Sequence, residues 1–120
     1  MRRRITTEIA CEIEPLGGVK GISGRIPSRK ALERASSMHG VLSDPVRLRL
    51  LLALREGRLC VCVLREIVSC PDTRLSYHLS ILRRARLISS ARDGSYLRYC
   101  LTSEGRIVAD GILKEAGKGA

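Results

Sequence analysis

The apolar residues change their period between Asp72 and Leu101, and this change constrains the fold more than any other feature. From about Asp72 to Ala85, Leu75, Leu79 and Leu82 recur at helical spacing. Leu87 to Ala91 and Tyr96 to Leu101 then read as short strands around Arg92-Asp93-Gly94-Ser95. Asp-Gly between such runs is a strong hairpin signal, because glycine takes the positive φ that tight hairpin turns require. A helix that runs directly into a hairpin implies a mixed domain in which both share one core.

Upstream of the hairpin the period is helical throughout. A first helix is predicted from Ser28, an N-cap residue after Pro27, with Ala31, Leu32, Ala35, Met38 and Leu42 on one face. A second starts at Asp44-Pro45, a cap followed by proline at the first helical position, and stops at Gly57. A third covers about Leu59 to Val68 and ends before Pro71. The fourth is the Asp72 helix. After the hairpin, Thr102-Ser103 caps a fifth helix carrying Ile107, Val108 and Ile112. The expected fold is mainly α (α+β), a winged helix-turn-helix of four helices, a β-hairpin and a last helix. Residues 1–27, with Gly17, Gly18, Gly21 and Gly24, are read as a flexible N-terminal arm, and 28–120 as one domain.

Charge narrows the partner. The net charge is +10. Residues 1–27 hold five Lys and Arg against three Asp and Glu, and residues 28–120 hold seventeen against nine, so +8 lies in the domain. A basic globular surface suits a polyanion, and double-stranded DNA is the partner expected here. Met1-Arg2-Arg3-Arg4 is followed by no long apolar run, and Leu50 to Leu54 is far too short to cross a bilayer. A cytoplasmic protein with no membrane partner is expected. Five cysteines, an odd number, then point to core thiols or to metal and redox chemistry rather than a disulfide framework. No phosphate-binding glycine loop, paired carboxylates or nucleophile–base pattern stands out, so no enzyme activity is expected.

The fourth helix is the expected reader of DNA. Arg74, Tyr77, His78 and Ile81 follow one another at i, i+3, i+4 and i+7 and are read as its outward face. Thr73, Ser76 and Ser80 add hydroxyls. Arg83, Arg84 and Arg86 suit phosphate contacts, and Arg92 and Arg98 place cations on the hairpin, as a wing along the groove would. His39 and His78 have no spacing that supports a zinc pair.

Four segments, in order, resemble the ArsR/SmtB repressors. They are Leu42-Ser43-Asp44-Pro45-Val46-Arg47-Leu48-Arg49-Leu50-Leu51, Leu59-Cys60-Val61-Cys62, Leu75-Ser76-Tyr77-His78-Leu79 and the hairpin around Gly94. The resemblance covers residues 38–108 and implies a homodimeric repressor, paired through its first and last helices. It implies release from the operator by a bound metal or metalloid. The second residue of the reading helix is often Gln in that family and here is Asp72, which is read as a helix cap.

Cys60-Val61-Cys62 resembles the family's thiolate sensor for As(III), Sb(III) or a soft divalent metal, and thiolates suit soft ions. On a regular helix two residues this close point about 200° apart, so joint ligation would distort the helix start. Cys60 can also be read as a small core residue. Where the arsenic-sensing pattern places a third cysteine, Arg65 stands. Cys11 in the arm is the remaining third-ligand candidate, because family members that bind larger soft metals use arm cysteines. Cys70 is read as a core residue and Cys100 as part of the wing. The family's other site type, on the last helix, lacks its His here. Two further readings stay open: a metal-independent or thiol-redox-responsive winged-helix regulator, and an interaction or RNA-binding module using the same fold.

Overall fold

The computed structural model describes residues 4–117. Residues 1–3, which enter the reading of a missing leader, lie outside the described residues. The chain divides into two compact units, Met1–Ser36 and Ser37–Ala120, and each is described by itself. The division between these units falls within the first expected helix.

The N-terminal unit, where the sequence suggests a flexible arm, is helical. Helix α1 spans Thr7–Ile13 and is capped by Thr6, whose hydroxyl accepts from the Ile9 N–H at 3.3 Å. A 3₁₀ turn, Glu14–Leu16, leads into helix α2, Gly18–Arg25. Neither helix buries a residue, and Ile5, Ile9, Leu16 and Val19 are exposed. Helix α3, Arg29–Val41, begins at the expected cap: the Ser28 hydroxyl accepts from the Ala31 N–H at 3.2 Å.

In the second unit, helix α4, Pro45–Ala53, starts as expected. The Asp44 carboxylate accepts from the Val46 N–H at 2.8 Å, and that bond holds its pKa below the usual value. Strand β1, Leu59–Cys60, precedes helix α5, Val61–Val68. The turn Ser69 to Pro71 leads to helix α6, Asp72–Arg84. Strands β2, Ile88–Asp93, and β3, Tyr96–Leu101, form the hairpin, and helix α7, Ser103–Ala116, follows. Its cap is Thr102, whose hydroxyl accepts from the Gly105 N–H at 3.0 Å. The result is a winged helix-turn-helix. Gly94 has φ 63° and Ser95 does not share its positive φ, so glycine occupies the one loop position that requires it.

The core is aliphatic, as a chain without Phe or Trp requires. Leu50, Leu51, Leu54, Leu64, Leu75, Leu82, Leu87 and Ile88 are almost wholly buried, and Tyr99 is the one aromatic residue among them. No helix among the described residues is long and apolar enough to cross a membrane.

The sheet has three strands, in the order β1-β3-β2. The short strand β1 was not expected from the sequence. It pairs antiparallel with β3, Leu59 opposite Tyr99 and Cys60 opposite Arg98. Two residues carry no readable alternation, and β1 exists only because β3 offers it an edge.

Helix α6 ends in a Schellman motif. The Leu87 N–H donates to the Leu82 carbonyl at 3.1 Å and the Arg86 N–H to the Arg83 carbonyl at 3.0 Å. Leu82 and Leu87, both fully buried, make its apolar contact. The motif puts Arg86 at φ 62°, where glycine is favoured. Arg86→Gly is therefore expected to stabilise the fold by about 0.5 kcal/mol, the relief of strain exceeding the added freedom of the unfolded chain. A thermal melt should show a rise of a few degrees, and an unchanged or lower midpoint would contradict the strain.

Candidate nucleic-acid interface and cysteine pair

Helix α5 links helix α6 to helix α4. The Arg65 guanidinium of α5 donates to the Asp72 carboxylate at 2.7 Å, and Arg49 of α4 donates to the Ile67 carbonyl at 2.9 Å. Asp72 therefore does not cap the helix. The cap position is Pro71, which makes no side-chain bond, and Asp72 in the first turn pairs with Arg65 and faces the positive end of the helix dipole.

Of the expected reading residues, Thr73, Arg74, Ser76, Tyr77 and Arg84 are exposed and Ser80 is half-buried. They occupy one continuous arc of the helix. Ile81 is half-buried.

His78 is the exception. It is only 4% exposed, on the buried stripe with Leu75, Leu79 and Leu82. Residue 78 lies about 40° around the axis from Leu82, so helical geometry places it at the core edge. Polarity suggested the outer face, and position decided otherwise. Its Nδ1 lies 3.0 Å from Nη1 of Arg47, itself 9% exposed. Arg47 also donates through Nε to the Val41 carbonyl at 2.6 Å. Burial, and then the neighbouring Arg47, push the His78 pKa down, against the attraction of Asp44.

The hairpin separates the two wing arginines. Register puts Arg92 opposite Leu97 and Arg98 opposite Ala91, so their side chains leave opposite faces. Arg92 is exposed, on the face that carries Ser90 and Tyr99. Arg98 lies on the other face, 3.3 Å from the Asp93 carboxylate, and its Nε is buried without a hydrogen-bond partner. Arg83 donates to the Ser90 hydroxyl at 3.3 Å, spanning helix and sheet.

The cysteine pair departs from the helical expectation. Cys60 precedes the helix, in extended conformation at φ −77° and ψ 159°, and only Cys62 lies within the first turn of α5. The Cα atoms are 5.4 Å apart and the two sulfurs are joined as a disulfide. One extended residue turns two diverging thiols into two converging ones, without distorting the helix. Within this unit the converging donors are two sulfurs. Among the described residues no group of three or more His, Cys, Asp or Glu is placed to hold a metal ion. Cys11 is exposed and belongs to the other compact unit. Cys70 packs against the core, and the Cys100 sulfur lies 3.2 Å from the Ser89 hydroxyl. His39 is exposed on α3.

Comparison with known proteins gives consistent results. Residues 44–90 match the profile of the family described as bacterial regulatory protein, arsR family. The chain is 33% identical over 96 residues to the HTH-type transcriptional repressor SmtB of Mycobacterium tuberculosis, covering 78% of this chain and 70% of that one. It is 39% identical over 75 residues to the arsenical resistance operon repressor of Bacillus subtilis, covering 62% and 69%. The crystal structure of NolR from Sinorhizobium fredii superposes with a TM-score of 0.68 at 28% identity, covering 80% of this chain and 99% of that one.

Proposed function

We infer that this chain, which belongs to the ArsR family of bacterial regulatory proteins, is a homodimeric repressor released from its operator by a soft metal or metalloid. Its relatives are transcriptional repressors, not enzymes. The DNA reading is carried by the exposed arc of α6: Arg74 and Tyr77 would meet base edges, with Thr73, Ser76, Ser80 and Arg84 beside them. Arg92 would lie against the backbone as the wing, and Arg98 would be held back by Asp93. A homodimer suits Ile107, an apolar side chain left 72% exposed on α7, which a second copy would cover. The protein would act in the cytoplasm, on the operator of its own genes.

The inducer reading is carried by the convergence of Cys60 and Cys62. A disulfide is no ligand, so the sensing form is the reduced dithiol. Its two thiolates would hold As(III) or Sb(III), or a soft divalent cation, and Cys11 is the third thiolate we propose. The bound ion would supply a covalent bridge between sulfurs on β1 and α5. Both elements touch the interface: β1 is laddered to Arg98 and Tyr99 of β3, and α5 holds α6 through Arg65. A ligand that favours an arrangement of these elements that DNA disfavours lowers DNA affinity by the same factor by which DNA lowers its own.

The test is a gel shift with the DNA upstream of the protein's own coding sequence, with and without arsenite, under reducing conditions. Release by arsenite is expected, and Cys60→Ser/Cys62→Ser should bind DNA normally but not let go. Cys11→Ser should raise the arsenite needed if Cys11 completes the site. Release of the double variant by arsenite would exclude the pair. Release of the parent by peroxide alone would move the assignment to thiol oxidation.

A further inference from the structure

We propose that a notch between α6 and β3 seats one phosphate of the DNA backbone, held by the Arg83 guanidinium and the Tyr99 hydroxyl. The proposal rests on the reading of α6 and the hairpin as a DNA-binding surface. The notch has a volume of about 180 Å³ and is lined by Ser76, Leu79, Ser80, Arg83 and Tyr99. Ser76 and Ser80 are four residues apart and Arg83 three further on, so the helical period stacks them on one flank of α6. Tyr99 enters from the sheet, opposite Ser90, and Arg83 already reaches Ser90. The polar side chains of the lining are three hydroxyls and a guanidinium, with no carboxylate among them. A set rich in donors and free of anionic groups suits an anion, and a phosphate oxygen is the anion that Arg, Ser and Tyr side chains meet on DNA.

Tyr99 is the informative member. Its ring is 7% exposed and belongs to the core. An apolar ring alone would serve the packing. A buried tyrosine hydroxyl ordinarily finds a partner. Here the hydroxyl takes no protein partner among the described residues, yet it is not sealed from solvent. A phosphate in the notch would supply the missing acceptor. The seat would also fix the spacing of reading helix and wing on the backbone, since its donors come from both.

The experiment uses the full-length reduced protein and a labelled duplex from upstream of its coding sequence. Tyr99→Phe removes only an oxygen that holds no protein partner, so it should fold as the parent does. It is expected to bind roughly tenfold more weakly, the loss of a hydrogen bond to a charged group. Arg83→Gln should flatten the dependence of log affinity on log salt by about 0.9 per site, and Tyr99→Phe should leave that slope unchanged. Phosphate-ethylation interference should lose one position in Tyr99→Phe that the parent shows. The seat is overturned if Tyr99→Phe and Ser80→Ala both bind as the parent does with an unchanged ethylation pattern. Inorganic phosphate should compete for the parent better than chloride at matched ionic strength, and that advantage should vanish in Tyr99→Phe. Failure of the parent to bind any duplex at low salt would instead bring down the DNA-binding reading itself.

Discussion

Gly105→Ala is expected to destabilise the domain by about 3 kcal/mol, at the upper end of what overpacking costs. Gly105 lies in the first turn of α7, fully buried against the strand start. A Cβ there would collide with the backbone carbonyl of Leu87. That carbonyl cannot swing aside freely, because it accepts from the Thr102 N–H at 3.0 Å. Thr102 in turn donates its hydroxyl to the Arg86 carbonyl at 2.7 Å and caps α7. Relieving the clash means lifting the start of α7 off the junction between α6 and β2, and one methyl group would disturb all of these bonds. A thermal melt should fall by roughly 10–20 °C. Gly111→Ala is the control: nothing lies within 4 Å of a Cβ there, so the better helix former should raise stability by up to about 1 kcal/mol. A Gly105→Ala melt within a degree or two of the parent would show that the close approach is not required.

Much of this was legible in the sequence, because local chemistry set it. Asp44-Pro45 and Ser28 announce helix starts, and the structure shows the bonds that make them caps. The period change after Arg84 and the glycine at position 94 announce the hairpin, and its second strand has the expected bounds. What escaped was set by distant partners. Strand β1 is two residues that β3 recruits from about forty positions along the chain, and that pairing draws Cys60 out of the helix. The geometry of the cysteine pair therefore could not be read from Cys-Val-Cys alone. Asp72 carries the residue type of a cap, but Arg65 claims its carboxylate. Glycine is a poor helix former, but Gly105 sits where a larger residue would strike the Leu87 backbone, a close approach that no local pattern announces. Of the two N-terminal helices only α1 has a side-chain cap, and neither buries a residue, so no apolar stripe marks them.

His78 shows how a polar residue of helix α6 can be structural, and it leads to a second large effect. Arg47→Leu would leave the Val41 carbonyl and His78 Nδ1 without their donor, and the Gly40 carbonyl without a longer contact at 3.4 Å. Hydrogen bonds from a buried charged donor are worth more than neutral ones, so a loss of about 3 kcal/mol is expected. DNA affinity should fall too, because Arg47 ties the end of α3 to the middle of α6. The same contact predicts a pH dependence. His78 can accept from Arg47 only when neutral, and both Arg47 and Arg74 oppose its protonation, while Asp44 favours it. Its pKa is lowered in the fold, so the unfolded chain takes up the proton first. Stability should be complete above about pH 6.5, the unperturbed histidine value, and fall with pH between there and the lowered native value. Replacing His78 with Gln keeps an acceptor for Arg47 but removes the titration. Denaturant unfolding of parent and His78→Gln from pH 8 to pH 5 is the measurement. The parent should lose stability across that window more steeply than the variant. Parallel curves would mean that His78 titrates alike in the folded and unfolded chain, and the Arg47–His78 bond would then carry no pH dependence.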